Sequence, residues 1–254
     1  MSDTTSAVPA GASPAISISG VFSRTFAVLF ANLIPFSIIS FLVQVPLLLF
    51  NLAMDGGVAA DPNSAGASYF IGMLIGMVLS YTAMGAMVYG TVQHLHGQPA
   101  GLGECLSRGF SVILTVILVG LLVTILAALG MILLVVPGII VLVITAVAVP
   151  AAVVERPGIW ASVKRSAELT KGNRWRVFAL LVIFYVIMMG IGWVLGVAGI
   201  PVLVPDGTVF AMIAQYVWAG ITTLFFAVIG AVIYHDLRVA KEGASTAQIA
   251  AVFD

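Results

Sequence analysis

Apolar residues in this chain recur on every side of long stretches, with neither the period-two alternation of a half-buried strand nor the single apolar stripe of a surface helix. Crossing a hydrocarbon layer about 30 Å thick takes about 20 helical residues, each rising about 1.5 Å. Five charge-free runs reach that length: 25–50, 69–92, 110–136, 177–200 and 208–235. The third does not stop at 136, because no charged residue appears between Phe110 and Val154. A single helix over those roughly 45 residues would be about 67 Å long, twice the membrane, so the run must double back. Val136-Pro137-Gly138 offers the turn: Pro137 presets φ at one corner and Gly138 accepts positive φ at the next. A turn at Gly130 would divide the arms more evenly but leave Pro137 inside a helix. The turn at Pro137 leaves a shorter fourth span, 139–154. The expected fold is all-α, a polytopic membrane protein with six transmembrane helices. A membrane β-barrel is excluded, since its strands alternate apolar and polar residues.

Composition agrees. The 254 residues are 61% hydrophobic and 8% charged, against roughly 45–50% and 25% in soluble domains. A net charge of zero gives no field that would attract nucleic acid. Residues 1–20, rich in Ser, Ala, Thr and Pro and free of Lys and Arg, read as a disordered or surface tail rather than a signal peptide. Residues 21–240 form the six-helix domain and 241–254 a C-terminal tail. The single cysteine, Cys105, excludes an internal disulfide.

Basic residues fix an orientation. Arg24 precedes span one, Arg108 lies between spans two and three, and Arg156, Lys164, Arg165, Lys171, Arg174 and Arg176 lie between four and five. Arg238 and Lys241 follow span six. Alternate connections therefore hold all 10 basic residues or none, and the positive-inside rule places both termini and Cys105 in the cytoplasm. Asp55, Asp61 and Asp206 are the acids of the opposite side. The expected location is a bacterial cytoplasmic, or inner, membrane.

Each pair of spans is preceded by a related segment: Phe22-Ser23-Arg24, Leu106-Ser107-Arg108 and Val163-Lys164-Arg165. Ile18, Leu102 and Ile159 fall at the same distance before the three arginines. This spacing suggests a three-fold parallel repeat of a short cytoplasmic amphipathic helix plus a transmembrane hairpin. In the third unit a helix over 157–170 carries Ile159, Trp160, Val163 and Ala167 on one face, with Lys164, Arg165 and Glu168 elsewhere. Such a helix lies in the headgroup layer, with Lys164, Arg165, Lys171 and Arg174 facing anionic lipid and Trp175 anchoring span five.

Little in the chain suggests catalysis. The spans hold no intramembrane acid or base of the kind that marks ion pathways, and no hydrolase, metalloprotease, P-loop or dinucleotide motif is present. No catalytic residue, cofactor or metal site is expected. Asn32, Gln44 and Gln215 read as interhelical hydrogen-bond formers. Gly72, Gly76 and Ser80, and Gly192 and Gly196, recur every four residues and read as close-packing faces. Met73, Met77, Met84 and Met87 read as adaptable packing. His94 and His96 point about 200° apart on a helix and cannot share a metal. His235 and Asp236 permit acid–base work in principle. The plainer reading is a cytoplasmic polar cluster in which Asp236 and Arg238 pair with Glu155, Arg165 or Glu168 and lock helix ends together.

Three patterns coincide: the Val136-Pro137-Gly138 turn, the stretch from Glu155 through Val163-Lys164-Arg165-Ser166-Ala167-Glu168-Leu169-Thr170-Lys171-Gly172-Asn173, and Tyr234-His235-Asp236-Leu237-Arg238 with Glu242-Gly243. Over about residues 20–243 the chain resembles the bacterial membrane domain related to the one fused to some glycerophosphoryl diester phosphodiesterases. Ala167 stands where that family often has an aromatic residue. The resemblance implies a stand-alone membrane domain without the soluble catalytic barrel, and so transfers no enzymatic activity. The expected function is that of a non-enzymatic scaffold, binding membrane lipids, anionic ones included, or a membrane or cytoplasmic protein. The alternative is a transporter or channel for a small or amphipathic solute.

Overall fold

The computed structural model describes residues 16–53, 62–98, 100–203 and 208–243. Asp55, Asp61, Asp206, most of the N-terminal tail and residues 244–254 lie outside them. The described residues form helices α1 (Ile18–Ala31), α2 (Leu33–Ala53), α3 (Pro62–Leu95), α4 (Leu102–Leu133), α5 (Val135–Thr145), α6 (Ala148–Val154), α7 (Ile159–Thr170), α8 (Arg174–Val197) and α9 (Val209–Arg238). A π-helical turn, Val239–Gly243, follows. Six helical stretches are long and apolar enough to cross a membrane: Leu33–Phe50, Leu74–Leu95, Leu102–Leu133, Val135–Val154, Arg174–Val197 and Val209–Gly243. The protein is an all-helical, multi-pass membrane protein.

Helix boundaries differ from expectation where proline intervenes. The run 25–50 is two helices, broken at Asn32, whose φ of −120° and ψ of 25° leave the α region. The turn between the third and fourth spans falls at Leu134, extended at φ −166° and ψ 150°, and not at Pro137-Gly138. The fourth span breaks again at Val147, ahead of α6. Pro35, Pro137 and Pro150 each stand three residues after a break. A proline has no N–H for the carbonyl four residues back and its ring collides with that carbonyl, so one helix ends upstream and the proline opens the next, where its missing donor costs nothing. Gly138 serves close approach instead: a Cβ on Gly130 would come within 2.8 Å of the Gly138 Cα.

Smaller corrections follow from caps. α1 begins at Ile18, within the expected tail, because the Ser17 hydroxyl accepts from the Gly20 N–H at 3.2 Å. α7 begins at Ile159 rather than Pro157, since Gly158 takes φ +98° and no helical residue can. Residues 241–243 continue the end of α9 instead of opening a tail.

Ile18, Leu102 and Ile159 each open a helix, with an arginine as its seventh residue. α1 and α7 are separate short helices, whereas the second of these segments runs straight into its span as α4. α1 packs on α9, α4 on α3 and α7 on α6, while α3, α6 and α9 touch one another. The core sits where these three helices converge on the polar end. Met87, Val88, Ala151, Ala152, Ile229, Val232 and Ile233 are buried there. α8 stands outermost, with Tyr185, Val186, Trp193 and Val197 exposed as lipid-facing residues are.

Candidate polar site at one end of the bundle

α6, α7 and α9 bring Glu155, Arg165, Tyr234, Arg238 and Glu242 together. Arg165 Nε donates to Glu155 Oε1 and Oε2 at 3.0 and 2.9 Å, and its Nη2 donates to Glu242 Oε1. Arg238 Nε reaches Glu242 Oε2 at 2.6 Å, and the buried Tyr234 hydroxyl donates to Glu155 Oε1 at 2.7 Å. Carboxylate and guanidinium alternate, which compensates each group as it leaves water. The Arg165 guanidinium is partly desolvated, which pushes its pKa down, but hydrogen bonds to Glu242 and Glu155 outweigh that and hold it above the ordinary value.

Asp236 departs from expectation. It pairs with Arg24 of α1 through Oδ1, not with Arg165, Glu168 or Glu155. His235 Nδ1 lies 3.4 Å from the same oxygen, so the carboxylate already serves a guanidinium and is committed to fastening α1 against α9. The His235 ring packs on His96 with centroids 5.6 Å apart. His96, just past α3, has its pKa lowered by burial first and then by His235 and Arg238. His94 turns elsewhere, its Nδ1 3.1 Å from Asn32 Nδ2, which ties the α1–α2 break to the end of α3. Glu168 contributes its backbone carbonyl, which accepts from Lys241 Nζ.

Of the basic residues expected to face lipid, Lys164, Lys171 and Arg174 are exposed, as is Trp175, whereas Arg165 turns inward because Glu155 and Glu242 hold its guanidinium. The break in the fourth span is stitched from α7: the Ser166 hydroxyl donates to the Ile144 carbonyl at 2.7 Å and accepts from the Val147 N–H at 3.2 Å. Residues absent from the expected cluster, namely Arg24, Tyr234, Glu242 and Ser166, carry as much of it as those named. Glu242 had a sequence signal, since it stands four residues after Arg238 on a continuing helix.

The small-residue faces divide. Gly72 and Gly76 admit the side chains of Phe50 and Leu47 from α2, and Gly192 admits Leu203. Gly196 does not pack: a Cβ there would meet nothing within 4 Å. α3 and α4 cross closely at Gly85 and Gly109, where the two glycines face each other. Ser80 instead lines a half-open cavity of about 300 Å³ between α3 and α9, with Tyr81, Met84, Thr222, Thr223 and Phe226. Ser40 donates to the Gly220 carbonyl at 2.7 Å, and Gln44 packs against Gly220, so these polar groups join α2 to α9. Gln215 reaches the Pro201 carbonyl at 3.4 Å. Among the described residues no three His, Cys, Asp or Glu side chains group as metal ligands. No protein-family model, curated protein or solved structure matches this chain.

Proposed function

We propose that this chain is a non-enzymatic membrane scaffold whose charged end faces the cytoplasm of a bacterial cell and engages anionic lipid or a protein partner. One observation carries the reading. At the polar end Glu155 and Glu242 are held by arginines, Asp236 by Arg24, and Glu104 accepts the Tyr89 hydroxyl at 2.6 Å. Lys164, Lys171 and Arg174 are left outward without a carboxylate ion pair among the described residues. Exposed cations beside Trp160 and Trp175 suit a headgroup layer, where each contributes about 1 kcal/mol toward an anionic surface. The likeness to the membrane domain of glycerophosphoryl diester phosphodiesterases belongs to this reading and brings no chemistry with it.

Extraction with surrounding lipid, followed by mass spectrometry of what co-purifies, tests it. Anionic lipid or a protein partner should be enriched with the native chain and depleted in Lys164→Gln/Lys171→Gln/Arg174→Gln. Equal recovery from both would refute the reading. The cavity at Ser80 and Thr222 favours solute passage as the second reading. Flux through reconstituted vesicles that disappears in Ser80→Leu or Thr222→Leu, which fill the cavity, would establish it.

A further inference from the structure

We propose that the turn joining α7 to α8 binds the phosphate of an anionic phospholipid headgroup through Lys171, Arg174 and Lys241. The proposal rests on the lipid-engaging reading above and narrows it to one place.

Chain geometry gathers the three cations. Lys171 is the C-cap of α7, Gly172 turns the chain at φ +90°, Asn173 is the N-cap of α8 and Arg174 opens that helix. From the far end of the sequence, Lys241 reaches the Glu168 carbonyl in the last turn of α7. There it lies within electrostatic reach of Lys171 and Arg174. Glu168 is the carboxylate that Lys241 feels, so positive charge remains in excess. Glu155 and Glu242, the other acids nearby, are occupied by Arg165 and Arg238.

α8 begins against its own dipole. The free N–H groups of a helix start carry partial positive charge and favour an acid or an anion there. The first turn of α8 has no acidic residue and no side-chain cap; it has Arg174 and Arg176. Asn173, 3% exposed, spends its Oδ1 on the Ile16 N–H at 3.4 Å, and its buried Nδ2 has no partner among the described residues. Convergent cations and the free amide donors that open α8 call for an anion with several acceptor oxygens, as phosphate has. Trp175 is 83% exposed directly beside them, and α8 enters its membrane span from this point. That sets the site at headgroup depth, where the phosphate available is a lipid's.

The test reconstitutes the full chain in phosphatidylcholine discs containing phosphatidic acid, phosphatidylglycerol or neither, and reads retained lipid by native mass spectrometry. The native chain should retain an anionic phospholipid in preference to phosphatidylcholine. Each of Lys171→Gln, Arg174→Gln and Lys241→Gln should weaken retention roughly fivefold, and the three together about a hundredfold. The comparison variant is Arg108→Gln/Arg156→Gln; Arg108 lies over the Tyr89 ring and Arg156 bonds Ser111. Equal weakening in that variant would overturn the local site while leaving general lipid engagement intact. No preference for anionic lipid in the native chain would remove both ideas. Displacement by millimolar inorganic phosphate would overturn the lipid assignment in favour of a soluble ligand. Should the triple variant not fold, Lys171→Gln and Arg174→Gln, both on exposed side chains, carry the same comparison.

Discussion

A methyl group at Gly109 would sit 2.7 Å from the Thr82 carbonyl oxygen and 3.0 Å from the Ala86 Cβ. The obstacle is helix backbone, so neither α3 nor α4 can yield without separating along its length. Gly109→Ala is expected to destabilise by about 1–3 kcal/mol. Gly196→Ala should be neutral or stabilise by up to about 1 kcal/mol, because α8 leaves that position open and alanine restricts the unfolded chain. Unfolding in detergent, followed by circular dichroism, separates the two. Equal behaviour would contradict the placement of Gly109 at the crossing. Gly196 stands in a four-residue recurrence of small residues and Gly109 does not, so that recurrence does not say which helix arrives opposite.

His96 titrates at the same scale. Burial, His235 and Arg238 all oppose its protonation, so in the folded protein it takes up a proton at lower pH than when unfolded. The unfolded chain is the first to bind the proton as pH falls. The stability owed to a neutral His96 is therefore present above about 6.5, the ordinary imidazole value, and is lost as pH drops through the folded-state value. The His96 ring signal in an NMR titration should move with a midpoint below 6.5, and His235→Ala should raise that midpoint. A midpoint at or above 6.5 in the native protein would contradict the arrangement of the two rings.

Among elements, hydrophobic run length picked out the six helical stretches long and apolar enough to cross a membrane, because lipid leaves no unpaired backbone N–H or C=O over the roughly 20 residues of a span. The joints were harder to read. Pro137 marks a break but stands three residues past it, and Asn32, which ends α1, suits a helix end but sits inside an uninterrupted charge-free run. The arginine register was legible because Ile18, Leu102 and Ile159 recur at one spacing, whereas the α1 start was not, because the Ser17 cap lies in a Ser-, Ala- and Thr-rich stretch that reads as a tail. The partner of Asp236 was not, since Arg24 lies 212 residues away and only the packing of α1 on α9 joins them. Asp236→Asn should loosen α1 at a cost of about 1–3 kcal/mol, seen as faster hydrogen exchange over residues 18–31. Ser166→Ala should do the same for the joint between α5 and α6, where it removes an acceptor and a donor at once. Unchanged exchange in both variants would mean that these side chains do not fasten the short helices.

For the whole molecule, the sidedness of the charges is the remaining large claim. All 10 basic residues fall at one end of the six spans, and placing them across the bilayer would oppose the membrane potential as well as the insertion bias. Cys105 cannot report on this, since it is 2% exposed and packs beneath Gly90, hidden from reagent on either face. The experiment needs a Cys105→Ala background with one new thiol at each end. Ser107 and Ala198 are exposed and lie at opposite ends of the spans. In intact cells an impermeant maleimide should label Ala198→Cys and spare Ser107→Cys, and lysis should make both reactive. The reverse pattern would put the arginine-bound carboxylates and the lysine-rich turn outside the cytoplasm. Lys171, Arg174 and Lys241 would then meet the outer leaflet of the membrane, and a cytosolic partner could no longer reach them.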